Sequence, residues 1–206
     1  MSDAATAIVV GAGVFGASTA WRFQQRGWDV TLVEAVQPGH VRASSGGRSR
    51  LIRFAHGDDV WHTRSVIRAM DGWEELEAVT GEDLLVRCGV AWFAREDDGW
   101  EAAAAAVLEA EGVEAERMTG DEAQSLYPSL RTDDLAFVLY EPDAGVLRAA
   151  RAVRALTSAL RAAGGRVLAG QAQPHGTAVV VDEQRLTADA VVWACGPWLP
   201  RLFPEL

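Results

Sequence analysis

The stretch of sequence that decides the fold is Ala7-Ile-Val-Val-Gly-Ala-Gly-Val-Phe-Gly16. Residues 7–10 are a short apolar run that ends at a glycine, which is typical of a buried parallel strand. Residues 14–26 are predicted as a helix with Gly27 at its end, and residues 28–34 as a second strand. A strand, a helix and a strand within the first 34 residues form a βαβ unit, so the sequence predicts an α/β fold with a parallel sheet.

The glycines have the spacing of a dinucleotide-binding loop between a strand and a helix. Gly11 allows the tight turn, Gly13 lets a pyrophosphate approach the main chain, and Gly16 lets the helix pack closely on the strand. The helix N-terminus then offers N–H donors to phosphate groups. Glu34 ends the second strand 18 residues after Gly16, where a carboxylate accepts ribose hydroxyls and repels the 2′-phosphate of NADP. This pattern leaves NAD and FAD both open, and a glycine-rich turn that binds nothing is the third alternative.

Composition restricts the class of protein and of partner. The 206 residues include 19 Arg, no Lys and 29 acidic residues, and the net charge of −10 argues against nucleic acid as a partner. No apolar run approaches the ~20 residues of a membrane span, and we expect no signal peptide because the N-terminus lacks a basic region. Cys88 and Cys195 have neither a disulfide framework nor a metal-site spacing, so we expect no metal and a reducing, cytoplasmic location.

The rest of the chain alternates between α/β patterns and a different, mixed segment. Helices are predicted at 59–79, 99–111 and 149–163, and a capping box of Thr119 and Glu122 precedes a short helix. Strands are predicted at 87–94, 135–140, 166–169 and 190–194, a hairpin at 177–182 and 185–188, and mostly loop at 37–57. We therefore expect a Rossmann-like domain in two parts, residues 1–80 and 146–206, around an inserted mixed-sheet segment at 81–145.

Four segments of this sequence resemble one family. Gly11 to Glu34 is similar to the opening of the FAD-binding amine and amino-acid oxidases, the D-amino-acid-oxidase superfamily. Residues 44–57, Ser-Ser-Gly-Gly-Arg-Ser-Arg-Leu-Ile-Arg-Phe-Ala-His-Gly, resemble the flavin-facing segment of the monomeric sarcosine oxidase and N-methyltryptophan oxidase group. Residues 188–198 resemble the family's strand and Gly-x-Trp motif near the FAD, and residues 141–147 its return from the substrate domain to the FAD domain.

The resemblance implies an FAD-dependent oxidoreductase that oxidises a C–N bond of an amino acid or N-methyl amino acid, with oxygen reoxidising the flavin. Residues 81–145 would belong to the substrate domain. Arg50 would act in catalysis by stabilising negative charge on the flavin. Arg53 would bind the substrate carboxylate with its planar fork, and His56 would also face the substrate. The implied cofactor-binding residues are Gly11, Gly13, Val14, Phe15, Gly16, Glu34, Ala35, His40, Ser44, Ser45, Arg50, Leu51, Gln173, Cys195, Gly196 and Trp198.

The sequence departs from the family pattern at several of these places. Gly46 replaces a larger group and is expected to leave space beside the flavin. His56 stands where a tyrosine faces the substrate, and it is either substrate-facing or an exposed loop histidine. Gln173 stands where an apolar residue lies against the adenine. Cys195 is expected to be a small buried side chain, and neither cysteine is assigned to covalent flavin attachment.

Family members continue well beyond the position that matches Leu206, so the chain resembles the N-terminal half of an oxidase. We expect the strands at 87–94 and 135–140 to form a two-stranded remnant with an exposed apolar face. The candidates for that face or its reverse are Val90, Trp92, Phe137 and Leu139. A homodimer or a complementary C-terminal chain would cover it, and the chain alone is expected not to turn over an amine. The alternatives are a non-catalytic or split-subunit nucleotide-binding partner protein and an NAD-dependent dehydrogenase.

Overall fold

The computed structural model describes residues 4–205. They divide into two packing units. The first unit comprises residues 4–49, 76–84 and 148–205, and the second comprises residues 50–75 and 85–147. The domain limits expected from the sequence differ from the limits of these units and stay predictions.

The described residues contain thirteen strands and six α-helices. The strands are β1 (Thr6–Val10), β2 (Asp29–Glu34), β3 (Arg50–Ile52), β4 (Leu85–Val86), β5 (Val90–Ala94), β6 (Glu116–Met118), β7 (Phe137–Glu141), β8 (Gly145–Leu147), β9 (Arg166–Ala169), β10 (Ala172–His175), β11 (Ala178–Val181), β12 (Gln184–Leu186) and β13 (Ala190–Trp193). The helices are α1 (Val14–Gln25), α2 (Val60–Thr80), α3 (Trp100–Ala110), α4 (Gly120–Leu126), α5 (Ala149–Ala162) and α6 (Leu199–Leu202), with a 3₁₀ turn at Gly196–Trp198.

A four-stranded parallel sheet is the centre of the first unit. The strand order is β13-β1-β2-β9, and β1 pairs along its length with both of its neighbours. This confirms the predicted βαβ unit and α/β fold class. β1 is an internal strand of this sheet, and the glycine loop follows its carboxyl end. The loop therefore lies at the carboxyl edge of the sheet, where α/β proteins bind their ligands.

Two layers cover the faces of this parallel sheet. The helices α1 and α5 pack against each other, and α1 also packs on β1 and β2. On the other face, β10, β11 and β12 form an antiparallel sheet. Its Val179 and Val181 share one buried cluster with Ile8 and Val10 of β1. Because alternate residues of a strand point to opposite faces, Ala7 and Val9, which are also buried, face the helical layer.

The second unit contains two small antiparallel sheets and the helices α3 and α4. One sheet has the order β3-β8-β4 and the other has the order β5-β7-β6. Residues 60–75 of α2 also belong to this unit. Its buried core includes Phe54, Met70, Leu85, Val90, Leu108, Phe137 and Leu139. The predicted capping box is present at the start of α4, where the Thr119 hydroxyl accepts from the Glu122 N–H.

The expected two-stranded remnant with an exposed apolar face is wrong. β6 joins β5 and β7 as a third strand. Val90, Phe137 and Leu139 are at most 9% exposed, because they pack in the second unit's core. Trp92 is half-buried and packs against the same cluster. The sequence missed β6 because three residues, Glu-Arg-Met, carry no strand pattern on their own.

The strand predicted at 87–94 is shorter in the structure, and a separate strand precedes it. β4 ends at Val86 and β5 begins at Val90. Between them Gly89 has φ +74°, and a Cβ at that position would overlap the ring of Tyr140. A glycine is therefore required where the chain passes from one sheet to the other. The segment 37–57, predicted as mostly loop, contains the short strand β3.

Candidate functional site

The glycine loop is shaped by two close main-chain approaches. Gly11 has φ +99°, and a Cβ there would lie 2.5 Å from the carbonyl oxygen of Ala194, at the end of β13. A Cβ at Gly16 would overlap the carbonyl oxygen of Gly11. Both glycines are therefore required by the packing of α1 and β13 on the end of β1.

Gly13 is different, because no described residue forbids a side chain there. Its φ is −75° and a Cβ would meet the Ser45 hydroxyl at 3.4 Å, an ordinary contact. Gly13 directly precedes the first turn of α1, where helix N–H groups are exposed. The space in front of Gly13 is thus a cradle that a Cβ would partly fill, as a pyrophosphate site requires.

Glu34 is held against the glycine loop. One oxygen of its half-buried carboxylate accepts the Ala12 N–H at 2.7 Å, and the other accepts the Val36 N–H at 3.0 Å. Each oxygen keeps a second lone pair for a hydroxyl donor. The carboxylate therefore has the position and the acceptor capacity for the two ribose hydroxyls of a dinucleotide.

Ser45 interacts with the first turn of α1. Its hydroxyl oxygen accepts the Val14 N–H at 2.9 Å, so the segment after β2 is fixed to the helix N-terminus. The hydroxyl can still donate its own proton. In the same segment the Arg42 N–H donates to Nδ1 of His40 at 3.2 Å, and Ser44 is exposed.

The expectation that Gly46 leaves space beside a flavin is wrong. Gly46 is buried. A Cβ there would overlap the carbonyl oxygen of His40 and come within 2.9 Å of that of Ala43. The glycine lets the loop fold tightly on itself, and the space it leaves is filled by the loop's own main chain.

The end of β13 reaches the same carboxyl edge. The Cys195 thiol donates to the carbonyl oxygen of Val10 at 3.6 Å. Burial, and secondly the negative charge of Glu34, raise the pKa of this thiol to about 11. Cys195 is thus a neutral side chain that is half-buried, less buried than the sequence indicated. Gly196 follows with φ +53° and starts the 3₁₀ turn that contains Trp198.

Four further residues predicted to bind the cofactor have different exposures. Phe15, in the first turn of α1, is 81% exposed. Ala35 follows β2 and is exposed, and Gln173 is an exposed residue of β10 paired with Val180. Trp198 is half-buried. Their roles toward FAD stay predictions.

Arg50, Leu51, Arg53 and His56 lie in the second unit. Arg50 and Leu51 are exposed residues of β3 and pair with Leu147 and Val146 of β8. Their proposed contacts with FAD stay predictions.

Arg53 is half-buried and rests on two indole rings. Its guanidinium carbon lies 4.8 Å from the ring centroid of Trp92 and 5.9 Å from that of Trp100. One guanidinium N–H donates to the carbonyl oxygen of Ala55 at 3.1 Å. Within residues 4–205, no carboxylate lies at ion-pair distance from Arg53. The cation is therefore held in a defined orientation without an acidic partner in the described chain.

His56 is half-buried, so the alternative of a fully exposed loop histidine is wrong. Its Nδ1 lies 3.0 Å from the carbonyl oxygen of Phe54, and its ring stacks on that of His62 with centroids 5.4 Å apart. A carbonyl accepts only from a protonated Nδ1, so in the neutral ring Nε2 is the acceptor.

Sequence reasoning missed three residues around Arg53: Trp92 and Trp100 as its supports, and Glu141. Glu141 is fully buried at the end of β7, and its carboxylate accepts three N–H groups. A carboxylate that ends the apolar run Phe-Val-Leu-Tyr was the one available signal in the sequence. Within the same described residues, no group of three or more His, Cys, Asp or Glu could hold a metal ion, and no helix is long and apolar enough to cross a membrane.

A parallel sheet, a glycine loop against its central strand and a carboxylate ready for ribose define a dinucleotide-binding α/β protein. Comparison with known families specifies the class. Residues 6–206 match the family model of the DAO family, described as FAD dependent oxidoreductase, and the chain belongs to this family. FAD is therefore the cofactor of its family, as predicted.

Individual relatives are similar over nearly the whole chain. N-methyl-L-tryptophan oxidase of Yersinia pestis (strain Pestoides F) is 27% identical over 205 residues, which cover 97% of this chain and 55% of that protein. The open form of NikD, described as an unusual amino acid oxidase essential for nikkomycin biosynthesis, superposes with a TM-score of 0.73 at 23% identity, covering 100% of this chain and 55% of that one. L-proline dehydrogenase from P. horikoshii gives a TM-score of 0.80 at 18% identity, covering 98% and 56%.

These solved structures confirm the fold. The chain spans about half the length of the curated relatives that it matches, 55% for the Yersinia protein. The resemblance to the N-terminal half of such an oxidase is thereby confirmed.

Proposed function

We propose that this chain provides the FAD site and part of the substrate site of an enzyme that oxidises the C–N bond of an amino acid or N-methyl amino acid. The observation that carries the proposal is Arg53, a half-buried cation that is fixed on two indole rings and has no acidic partner in residues 4–205. The relatives named above include oxidases of an N-methyl amino acid and of an amino acid.

The first unit would bind the FAD. The N–H groups at the start of α1 and the open space at Gly13 suit the pyrophosphate. The Ser45 hydroxyl is close to this point and can donate its proton to a phosphate oxygen. Glu34 would accept the ribose hydroxyls while it keeps its bonds to the loop. Bound FAD supplies the acceptor for the electrons and the hydrogen that leave the substrate carbon.

The second unit would orient the substrate. Arg53 has five N–H donors, of which one is bonded to the Ala55 carbonyl. The remaining donors include enough for a bidentate contact with a carboxylate. His56 presents Nε2, a group that can accept a proton from a substrate amine. Arg50, as an exposed cation at the start of β3, would stabilise negative charge at the flavin.

The assignment of Arg53 is tested by Arg53→Lys in the FAD-loaded enzyme of which this chain forms a part. Lysine keeps the positive charge but loses the planar fork. We expect kcat/KM for N-methyl amino acids to fall by about 100-fold, while methylamines without a carboxylate react as slowly as before. Peroxide formation under steady-state conditions measures both. Equal reaction of amines with and without a carboxylate in the unaltered protein would refute the role of Arg53.

We further propose that the first unit pairs with more polypeptide, either a second copy or a complementary chain. β13 is an edge strand of the parallel sheet, and its four residues, Ala-Val-Val-Trp, are apolar and half-buried. An edge strand presents main-chain N–H and C=O groups along its open side, which favours pairing with a further strand. Sedimentation at increasing protein concentration tests for self-association. Since both cysteines are free in the described structure, a reducing cytoplasmic location is part of the same proposal.

A further inference from the structure

Glu141 is a buried carboxylate that the proposed reaction does not use. It is 0% exposed. One carboxylate oxygen accepts the N–H groups of Phe54 and Ala55 at 2.6 and 3.0 Å, and the other accepts the indole N–H of Trp92 at 2.5 Å. Within residues 4–205, Glu141 has no cation at ion-pair distance. Burying a carboxylate that has only neutral hydrogen-bond donors costs free energy, so we expect Glu141 to have a function besides packing.

Two of the residues that donate to Glu141 also contact the Arg53 guanidinium. The Trp92 indole, whose N–H donates to Glu141, is the ring on which the guanidinium lies at 4.8 Å. Ala55, whose N–H donates to Glu141, offers its carbonyl oxygen to a guanidinium N–H at 3.1 Å. Two of the three groups that contact the Arg53 guanidinium, the Trp92 ring and the Ala55 carbonyl, are therefore tied to one carboxylate group.

From this arrangement we propose that Glu141 is a positioning residue that sets the orientation of the Arg53 guanidinium for carboxylate binding. The proposal rests on the role of Arg53 given above. Bidentate binding of a carboxylate depends on the plane of the guanidinium. Without Glu141 the indole and the 53–55 main chain are no longer held relative to each other, so the guanidinium has to be ordered by the ligand at a cost in affinity.

A role in stability alone predicts a different outcome. Loss of a purely structural hydrogen-bond acceptor lowers the free energy of unfolding and weakens all ligands of the folded site alike. Loss of a positioning residue weakens carboxylate ligands and leaves their uncharged analogues almost unaffected. The ratio of the two affinities, here called the acid selectivity, therefore separates the two roles.

The experiment measures ligand dissociation constants by calorimetry on the FAD-loaded enzyme of which this chain forms a part. The probes are two acid and amide pairs that no amine oxidation can consume: indole-3-acetate with indole-3-acetamide, and methoxyacetate with methoxyacetamide. Acid selectivity is the Kd of the amide divided by the Kd of the acid, taken for the pair that the unaltered protein discriminates better. The variants are Glu141→Gln, Arg53→Met and the two combined, with Glu77→Gln as a matched control. Glu77 also accepts a main-chain N–H, from Leu84 at 2.6 Å, and lies in the first unit.

We expect Glu141→Gln to lower the acid selectivity by about ten-fold and to change amide binding by less than about two-fold. Arg53→Met should abolish the selectivity, and adding Glu141→Gln to it should cause no further loss, because the two residues act through one contact. Glu77→Gln should keep the selectivity of the unaltered protein.

The inference is overturned if Arg53→Met abolishes the selectivity while Glu141→Gln retains it or weakens acid and amide equally. If Arg53→Met retains the selectivity, the proposed role of Arg53 fails, and the inference fails with it. Should Glu141→Gln not fold, Trp92→Phe decides the question, because it removes one N–H donor to Glu141 and keeps an aromatic ring under Arg53. A smaller loss of acid selectivity, about three-fold, is then expected, and an unchanged value overturns the inference.

Discussion

At the residue scale, Glu34 links the glycine loop to the proposed ribose site. One of its oxygens accepts the Ala12 N–H of the glycine loop and the other accepts the Val36 N–H after β2, so the carboxylate is in place before a ligand arrives. A carboxylate oriented in advance loses little entropy on binding a hydroxyl.

Glu34→Ala should weaken FAD binding. The variant loses two charge-assisted hydrogen bonds to the ribose, each worth roughly 1.5–3 kcal/mol as an upper guide. Titration of FAD into the apoprotein, followed by flavin fluorescence, measures the effect. Asp189→Ala is the matched control, because Asp189 also accepts a main-chain N–H of β1, that of Thr6 at 2.8 Å, but at the opposite edge of the sheet. Equal losses of affinity in both variants would show that the Glu34 effect is one of folding alone.

Cys195 should resist alkylation in the folded protein. Its pKa, raised to about 11 by burial and by Glu34, keeps it a thiol at pH 8, whereas the thiolate is the reactive form. Cys88 is exposed and serves as the internal comparison. Mass spectrometry after iodoacetamide treatment at pH 8 should find Cys88 modified first, and Cys195 should react faster as the pH rises toward its pKa. Equal rates at pH 8 would contradict the raised pKa of Cys195.

At the element scale, the junction of β1 and α1 separates two kinds of glycine. Gly16 is required by the close approach of the helix to the Gly11 carbonyl. Gly13 has space for a methyl group beside Ser45. The same motif thus contains two glycines that the fold requires, Gly11 and Gly16, and one that it does not need, Gly13.

Gly16→Ala and Gly13→Ala should therefore give opposite results. Gly16→Ala forces the helix away from the strand and should lower the free energy of unfolding by at least about 2 kcal/mol. Gly13→Ala should keep the stability within about 0.5 kcal/mol and lose FAD affinity, because its methyl group enters the pyrophosphate site. Urea unfolding and FAD titration measure the two quantities. An unaltered FAD affinity in Gly13→Ala would place the pyrophosphate elsewhere.

At the scale of the whole molecule, the sequence predicted those parts of the fold that depend on local pattern. The β1–α1–β2 unit, α2, α3, α5 and the hairpin of β11 and β12 all have a clear period or stop signal, and each is present. The strands β3, β8 and β10 have three or four residues each and were missed. Such strands exist because a distant segment pairs with them, and pairing partners are invisible in a single sequence.

The contacts of the candidate site are likewise of two kinds, local in the sequence and between distant segments. The glycine loop and Glu34 lie within 24 residues of each other in the sequence, so their spacing alone indicated a nucleotide site. Glu141 acts on residues far away in the sequence, 87 residues for Phe54 and 49 residues for Trp92. The indole supports of Arg53 likewise belong to segments that only the fold brings together. A motif search finds the first kind of contact and misses the second.

The most direct test of the proposed FAD site is the nucleotide preference of the purified chain. Calorimetry measures the equilibrium binding of FAD and of NAD side by side. Chromatography then identifies any nucleotide that the protein releases on denaturation. We predict that FAD binds at least about ten times more tightly than NAD, a difference of about 1.4 kcal/mol, and that any released nucleotide is FAD. NAD binding as tight as FAD binding, or release of NAD without flavin, would contradict it.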